Sequence, residues 1–259
     1  MTVVSTPIAL GAAPQQLDNA QVTVTAMSQL PPGLALPDAY AIQHAVLARR
    51  LDRGEHLIGI KLGFTSRAKM AQMGVSDIIV GQLTDAMRIP DGGEADLTRF
   101  IHPRIEPEIA FRLGRDLGPS DPGADIEAAV DAVAPALEII DSRYREFRFS
   151  LPDVVADNTS AAAFVVGPWQ PVGFSLANRA VRLTIDGEPA EIGSTAAILG
   201  HPTRALHALL AMADRYDFPL RAGDVVLAGA ATAAVPFTAA LAEARVAGLG
   251  TATVRGVPG

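Results

Sequence analysis

The ten residues Arg104–Leu113, RIEPEIAFRL, decide how the rest of the chain is read. In an extended strand alternate side chains share a face. Ile105, Pro107 and Ile109 therefore lie on one side, and Glu106, Glu108 and Ala110 on the other. Pro107 has no amide to give to a ladder, which predicts an edge strand or a bulge. An isolated Glu-x-Glu ordinarily marks a solvated strand face. Here Ala110 continues that face with a small apolar side chain, and the next strand signal, APALEII (134–140), carries its own lone acid, Glu138. Three carboxylates drawn together repel and raise one another's pKa values unless a cation sits among them. A hard divalent ion resolves the conflict. Mg²⁺ takes about six oxygens in octahedral geometry, so three glutamates leave about three positions, enough for two substrate oxygens and a water.

Working outward, strand signals outnumber helical ones. LIGIKLGF (57–64), IIVGQL (78–83), GDVVLAG (223–229) and GTATVRG (250–256) read as strands, and VRLTIDGEPAEIG (181–193) as a hairpin turning at Asp186-Gly187. Helices are expected over Leu17–Leu30, over LPDAYAIQHAVLARRLD ahead of Gly54, and over PTRALHALLAMADRYD from Pro202. A short helix capped by Thr65 or Ser66 and stopped at Gly74 is also expected, as is one carrying Ile126, Val130 and Val133 on one side. The order of elements does not alternate regularly. That predicts a mixed α+β fold with a largely β core, not a doubly wound nucleotide-binding sheet. No phosphate-cradling glycine loop is present; GLGTAT near the end lacks the third glycine and a following helix.

Composition narrows the function classes. Hydrophobic residues make up 49% of the 259 and charged residues 19%, which fits a globular chain with a sizeable core. A net charge of −7 without any Lys/Arg run argues against nucleic acid or an anionic membrane as partner. The absence of cysteine removes disulfides, thiolate nucleophiles and thiolate metal ligands. The stretch Val225–Ala242 is uncharged, but it is mostly Ala, Gly and Thr with Pro236 inside, so it reads as buried strand and loop. The N-terminal MTVVSTPIALGAAP lacks the basic start of a signal peptide, and a cytoplasmic location is expected.

GIKLGFTSRAKMAQMGV (59–75), HPRIEPEIAF (102–111), EIIDSRY (138–144) and VVADNTSA (154–161) occur in this order along the chain. In that order they resemble the 2-hydroxypentadienoate hydratase and 4-oxalocrotonate decarboxylase family of the fumarylacetoacetase-like superfamily, from about residue 36 to the C-terminus. The resemblance implies a fumarylacetoacetase C-terminal-like mixed β-sandwich or roll. An N-terminal helical segment (1–55) would pack on a catalytic unit (56–259). It implies Mg²⁺ or Mn²⁺ on Glu106, Glu108 and Glu138, and marks Lys61 as an active-site residue. The segment TSRAKMAQMGV, with LGHP (199–202) and TAAVP (232–236), is similar to the decarboxylase side of the family. The implied reaction is metal-dependent decarboxylation of 2-oxo-3-hexenedioate to 2-hydroxypenta-2,4-dienoate in meta-cleavage breakdown of aromatic compounds. Hydration of that dienoate is the alternative, and a non-catalytic partner of the hydratase is a second. Hydrolysis of an acylpyruvate would need a water-activating Glu-His dyad, for which the sequence offers no clear candidate. A homo-oligomer and a complex with a hydratase are further implications.

Charge bookkeeping nominates the remaining residues. Three glutamates and a divalent ion leave about −1, and a dianionic dicarboxylate brings the site to about −3. Lys61, an amine inside an apolar strand, is costly to bury without a partner and is expected to act on the C2 oxygen of the substrate. A snorkelling edge lysine is the structural alternative. Arg67 and Lys69 are candidates for the distal carboxylate, or a solvated helix face. Asp77 either positions Lys61 or handles a proton, or else stabilises a turn, and Ser160 in ADNTS either binds the substrate carboxylate or closes an Asx-type turn. Arg143 is expected to be a structural ion-pair partner. His102 and His201, each before a proline, are not expected to bind metal.

Overall fold

The computed structural model describes residues 11–66, 70, 77–117, 125–173 and 175–259. Two helices, α1 (Ala13–Val22) and α2 (Leu36–Asp52), precede strands β1 (Leu57–Gly63), β2 (Ile79–Thr84), β3 (Arg88–Ile89), β4 (Glu94–Asp96) and β5 (Arg104–Leu113). One helical turn, α3 (Ile126–Ala129), leads into β6 (Val130–Ile140); α4 (Leu151–Ala156) is followed by β7 (Ala161–Val166) and β8 (Gln170–Pro171). The hairpin β9 (Ala180–Ile185) and β10 (Glu188–Ser194) precedes α5 (Thr203–Tyr216). Strands β11 (Val225–Ala230), β12 (Val235–Pro236), β13 (Leu241–Val246) and β14 (Gly250–Val257) complete the chain.

The larger sheet runs β2-β1-β11-β5-β6-β7-β3, with β12 also on β5 and β8 on β6. Its two ends, β2 and β3, are separated in the chain only by the short turn Asp85–Met87, so the sheet curls until its ends meet. Leu83, Ala110, Ala134, Ala136, Phe164 and Leu227, from strands all around this curl, and Met87 from the turn form one buried cluster inside it. Outside, Ile105, Leu137, Ile139 and Val165 pack against Leu183, Ala242, Ala244 and Val254 of a second sheet ordered β10-β9-β13-β14-β4. The helices cover the remaining outer face: Tyr40, Ile42 and Val46 of α2 and Leu206 and Leu209 of α5 share a core with Ile60, Ile109 and Phe111. The architecture is α+β, a β roll backed by a sandwich. No helix among the described residues is long and apolar enough to cross a membrane. The uncharged run from Val225 forms β11, β12 and the start of β13.

RIEPEIAFRL forms β5 over its full length, and of the two alternatives expected from Pro107, edge or bulge, the structure has the bulge: β5 lies between β11 and β6. A bulge resolves the apparent conflict. Pairing passes from Ala110↔Leu227 to Glu108↔Ala230, so β11 carries an extra residue opposite Ile109, just before it reaches Pro107. The Pro107 carbonyl accepts from the Ala231 amide at 3.0 Å. A strand residue points its carbonyl and amide to the same side, so the missing N–H faces this bulged stretch and not the β6 ladder.

Two other elements differ from the sequence reading. The helix expected around Ile126, Val130 and Val133 is a single turn, and both valines belong to β6. The ladder to β5 shifts between Arg112 and Leu113, which lets Val130 and Val133 join one core cluster despite their odd spacing, while regular alternation beyond it puts Ala132, Ala134, Ala136 and Glu138 on one face. Pro135 within it denies a helix its hydrogen bond. The first helix ends at Val22, before Leu30, because β-branched Val22–Thr25 disfavours helix and Val24 turns left-handed at φ 50°. The hairpin turns as expected, with Asp186 at φ 49° and Gly187 at φ 85°. The short helix expected after Ser66 lies outside the described residues, except for Met70, whose amide donates to the Ser66 carbonyl at 2.9 Å.

Candidate active site

The register of β5 and β6 places Glu106 directly opposite Glu138, and Glu108 opposite Ala136. Like charges facing each other across a ladder destabilise it. These three side chains point into the roll, above the small residues Ala110, Ala134 and Ala136, which leave room for them. One carboxylate oxygen from each glutamate lies within 4.8 Å of the others. Glu108 and Glu138 are fully buried, and Glu106 is 7% exposed.

Lys61 of β1 enters the same space. Its Nζ stands 3.1 Å from Glu138 Oε2, an ion pair too poorly directed to satisfy that oxygen as a hydrogen bond. The ammonium donates to the Thr159 carbonyl at 3.1 Å. Gly81, paired with Lys61 across β1 and β2, makes the space: a Cβ there would come within 3.0 Å of Lys61 Cδ and 2.7 Å of the Asn158 carbonyl. Burial works against the Lys61 charge, yet the carboxylates of Glu138, Glu106 and Glu108 outweigh it and raise its pKa. The glutamates shift upward too. Burial, then the charges of Glu138 and Glu106, hold Glu108 well above the usual carboxylate range. Burial pushes Glu138 up to about 7, with Lys61 opposing and Glu106 adding to the rise.

The buried atoms that find no hydrogen-bond partner among the described residues are Glu108 Oε1, both oxygens of Glu138 and Ser160 Oγ. Orphaned buried oxygens of this kind are costly unless something else satisfies them. Hard oxygen donors, converging and unsatisfied, suit a divalent cation of the Mg²⁺ type. The donor set fits the ion expected from sequence.

Neighbouring backbone holds the cluster in shape. The Gly229 amide donates to Glu108 Oε2 at 2.8 Å. Gly229 sits in the β11 bulge at φ +106°, and a Cβ there would fall 1.9 Å from Thr65 Oγ1. Asn158, Thr159 and Ser160 are three consecutive left-handed residues, at φ 49°, 52° and 57°. The Asn158 amide side chain clamps Gln82, accepting from its N–H at 2.8 Å and donating to its carbonyl at 2.9 Å. Thr159 Oγ1 donates to the Val80 carbonyl at 2.9 Å. Below the loop, the buried Arg143 guanidinium pairs with Asp157 and donates to the carbonyls of Asp141 at 2.7 Å and Ala161 at 3.1 Å. This network turns the Thr159 carbonyl toward Lys61 and leaves Ser160 facing the cavity.

That cavity measures about 600 Å³, open solvent at its mouth included. Lys61, Thr65, Ser66, Glu106 and Ser160 supply its polar wall, and Phe64, Ile140, Phe147, Phe149 and Val154 its apolar one.

Of the residues nominated from sequence, Glu106, Glu108, Glu138, Lys61 and Ser160 come together here. Asp77 does not. It is exposed, its Oδ1 accepts from the Ile78 amide at 2.9 Å, and its Oδ2 lies 3.7 Å from Arg215. The partners of Lys61 are Glu138 and Thr159, so this placement does not support a role for Asp77 in positioning it. Arg67 and Lys69 lie outside the described residues. His102 Nε2 is 2.7 Å from the Ser142 carbonyl and His201 Nδ1 is 2.9 Å from Thr203 Oγ1. The sequence reading missed Gly81, Gly229, Thr159 and the aromatic wall. Only the polar cluster around ADNTS gave any signal for one of them.

Residues 63–255 match the family described as fumarylacetoacetate (FAA) hydrolase C-terminal. The chain is 50% identical over 223 residues to a 4-oxalocrotonate decarboxylase of a Pseudomonas species, covering 85% of this chain and 87% of that protein. A 2-hydroxyhexa-2,4-dienoate hydratase of Comamonas testosteroni is 35% identical over 239 residues, with 90% of each chain covered. Among solved structures, the 4-oxalocrotonate decarboxylase of Pseudomonas putida G7, complexed with magnesium and adipate, superposes with a TM-score of 0.91 at 35% identity. That match covers 99% of this chain and 100% of the other.

Proposed function

The chain belongs to the fumarylacetoacetate hydrolase C-terminal family, and from that membership and its glutamate cluster we infer a Mg²⁺-dependent carboxy-lyase acting on 2-oxo-3-hexenedioate (4-oxalocrotonate). The products are CO₂ and 2-hydroxypenta-2,4-dienoate. The observation that carries this reading is the set of buried, unsatisfied carboxylate oxygens of Glu108 and Glu138 beside Glu106 and Lys61.

In the reaction the C5–C6 bond breaks and C6 leaves as CO₂. The electron pair moves to C4–C5, the C3–C4 pair moves to C2–C3, and the carbonyl pair settles on the C2 oxygen, which then takes a proton. A divalent cation held by Glu106, Glu108 and Glu138 supplies Lewis acidity at that oxygen, where the charge collects. Lys61, held charged by the glutamates around it, is suited to orient the C2 oxygen and deliver its proton. Ser160 Oγ has its hydrogen bond free for the C1 carboxylate. Phe147, Phe149, Ile140 and Val154 give the conjugated chain a dry wall, which strengthens every charge interaction inside.

The direct test is turnover of 2-oxo-3-hexenedioate before and after exhaustive chelation, with CO₂ release measured alongside dienoate absorbance. Activity that survives complete metal removal overturns the reading. The likeness to a dienoate hydratase supports a second reading, water addition to the dienoate. The same assay separates the two, because a decarboxylase makes the diene chromophore and a hydratase consumes it. A cytoplasmic homo-oligomer docked to a dienoate hydratase completes the proposal, and light scattering with and without the hydratase tests its assembly.

A further inference from the structure

The substrate of the proposed reaction is a dianion, and with Lys61 beside the glutamates and assigned to the C2 oxygen, its far carboxylate needs another cation. We propose that Arg104 receives this distal carboxylate and makes the site selective for dicarboxylates over monocarboxylates of the same length. The proposal rests on the decarboxylase reading and names a specificity-determining residue within it.

Arg104 opens β5, and by strand alternation it shares the face of Glu106 and Glu108. The opposite face, marked by Ile105, is sealed against the second sheet. Arg104 pairs across the ladder with Ile140, which lines the cavity, so the arginine stands one step further toward the mouth than Glu106. Its guanidinium lies 4.8 Å from the centre of the Phe147 ring, and Phe147 also lines the cavity. Among the described residues this ring is the guanidinium's one recorded partner: no carboxylate pairs with it. By contrast Arg148 is tied to Glu146 at 3.0 Å, Arg112 to Asp131 at 2.7 Å, and Arg145 reaches the Ala26 carbonyl. An arginine over an aromatic face is held in place yet keeps its N–H edges for a carboxylate, which it binds in a fork.

The dimensions agree. Alternate residues of a strand are about 6.7 Å apart. From C2 to C6 of the substrate four carbon–carbon bonds span about 5 Å. A substrate anchored by its 2-oxo acid end at the glutamates therefore projects its far end to the mouth, within reach of Arg104.

The test uses two saturated six-carbon 2-oxo acids, 2-oxoadipate and 2-oxohexanoate, which differ only in the distal carboxylate. Binding to the Mg²⁺-loaded full chain is measured by calorimetry. The wild type is expected to prefer 2-oxoadipate by about tenfold or more, the weight of a charge-assisted bond at a partly exposed site. Arg104→Gln is expected to abolish that preference while leaving 2-oxohexanoate affinity within about twofold, and Arg104→Lys to restore part of it. No preference in the wild type, a preference that survives Arg104→Gln, or equal weakening of both ligands overturns the proposal. If the wild type fails to release CO₂ from 2-oxo-3-hexenedioate but keeps an Arg104-dependent preference, the assigned reaction is wrong and the subsite stands.

Discussion

Replacing Gly229 by alanine tests the architecture of the glutamate cluster without touching a carboxylate. Two costs add. A non-glycine residue at φ +106° costs about 1–2 kcal/mol in backbone strain. The new methyl would sit 1.9 Å from Thr65 Oγ1, 2.6 Å from its Cγ2 and 2.7 Å from its Cβ. The last of these is not a flexible tip that can swing away, so relief requires backbone movement worth about 1–3 kcal/mol. A total of about 2–5 kcal/mol is a large part of the roughly 5–15 kcal/mol that holds a domain folded. Urea denaturation of the metal-free protein should register it. Any shift of residue 229 also weakens the 2.8 Å hydrogen bond to Glu108. Mg²⁺ affinity, measured by calorimetry below the unfolding transition, should therefore fall by about tenfold. Combining Gly229→Ala with Thr65→Ala removes the Oγ1 and Cγ2 contacts but leaves the Cβ contact and the strain. The pair should thus recover part of the loss and be non-additive. A Gly229→Ala protein with the wild-type midpoint and wild-type Mg²⁺ affinity would refute this account of the bulge.

Four other outcomes are expected. In the metal-free protein Glu138 holds its proton up to about pH 7, so Mg²⁺ must displace it. Between pH 6 and 8 affinity should rise about tenfold, with proton release visible as a buffer-dependent binding enthalpy; pH-independent affinity would contradict it. The same raised pKa sets a sign for stability: the folded state holds this proton more tightly than the unfolded one, so its contribution to metal-free stability is full below about pH 4.5 and lost as pH rises through about 7. The thermal shift given by saturating Mg²⁺ should accordingly grow over that window, as differential scanning calorimetry would show. Lys61→Met should lower kcat by about 10²–10⁴ with Mg²⁺ still bound, measured by steady-state turnover under metal saturation. Arg143→Met, which strands the buried Asp157 charge, should cost about 3–5 kcal/mol in chemical denaturation, far more than an exposed arginine such as Arg148.

How much of this was legible in the sequence depends on the range of the interaction. Alternation within RIEPEIAFRL gave the strand, the shared glutamate face and the small Ala110 beneath it, because strand periodicity is a local property. Glu138 was found for the same reason: its own strand announced itself, and burying an unpaired acid is expensive enough to be conspicuous. Pro107 left edge and bulge both open, since proline's missing amide is excluded only from a ladder that needs it, and the β11 bulge that decides between them lies more than 100 residues away. Gly229 was silent in GDVVLAG for a related reason. Its role depends on Thr65 and Glu108, which only the folded sheet brings to it. The valines of β6 were misread because the ladder shifts between Arg112 and Leu113, and that irregularity lets two strand residues three apart pack into one cluster, as a helix would. Pro135 was the signal that should have arbitrated. Arg104 sat in plain view beside Glu106, but its value lies in having no competing anion, and a sequence does not display the lack of a neighbour.

The seam of the curled sheet rests on β3, only two residues long, which meets β7 at Arg88↔Phe164 and Ile89↔Val165. In the strand order the glutamate-bearing pair β5 and β6 lies toward the middle, away from this join. Thermal breathing of the barrel therefore begins at the short join and spares the long central strands, whose amides should be the last to exchange with solvent. The fold puts its most electrostatically burdened side chains on its least yielding backbone. Their crowding can thus be kept as binding strength for a cation without being relaxed by the sheet drifting apart.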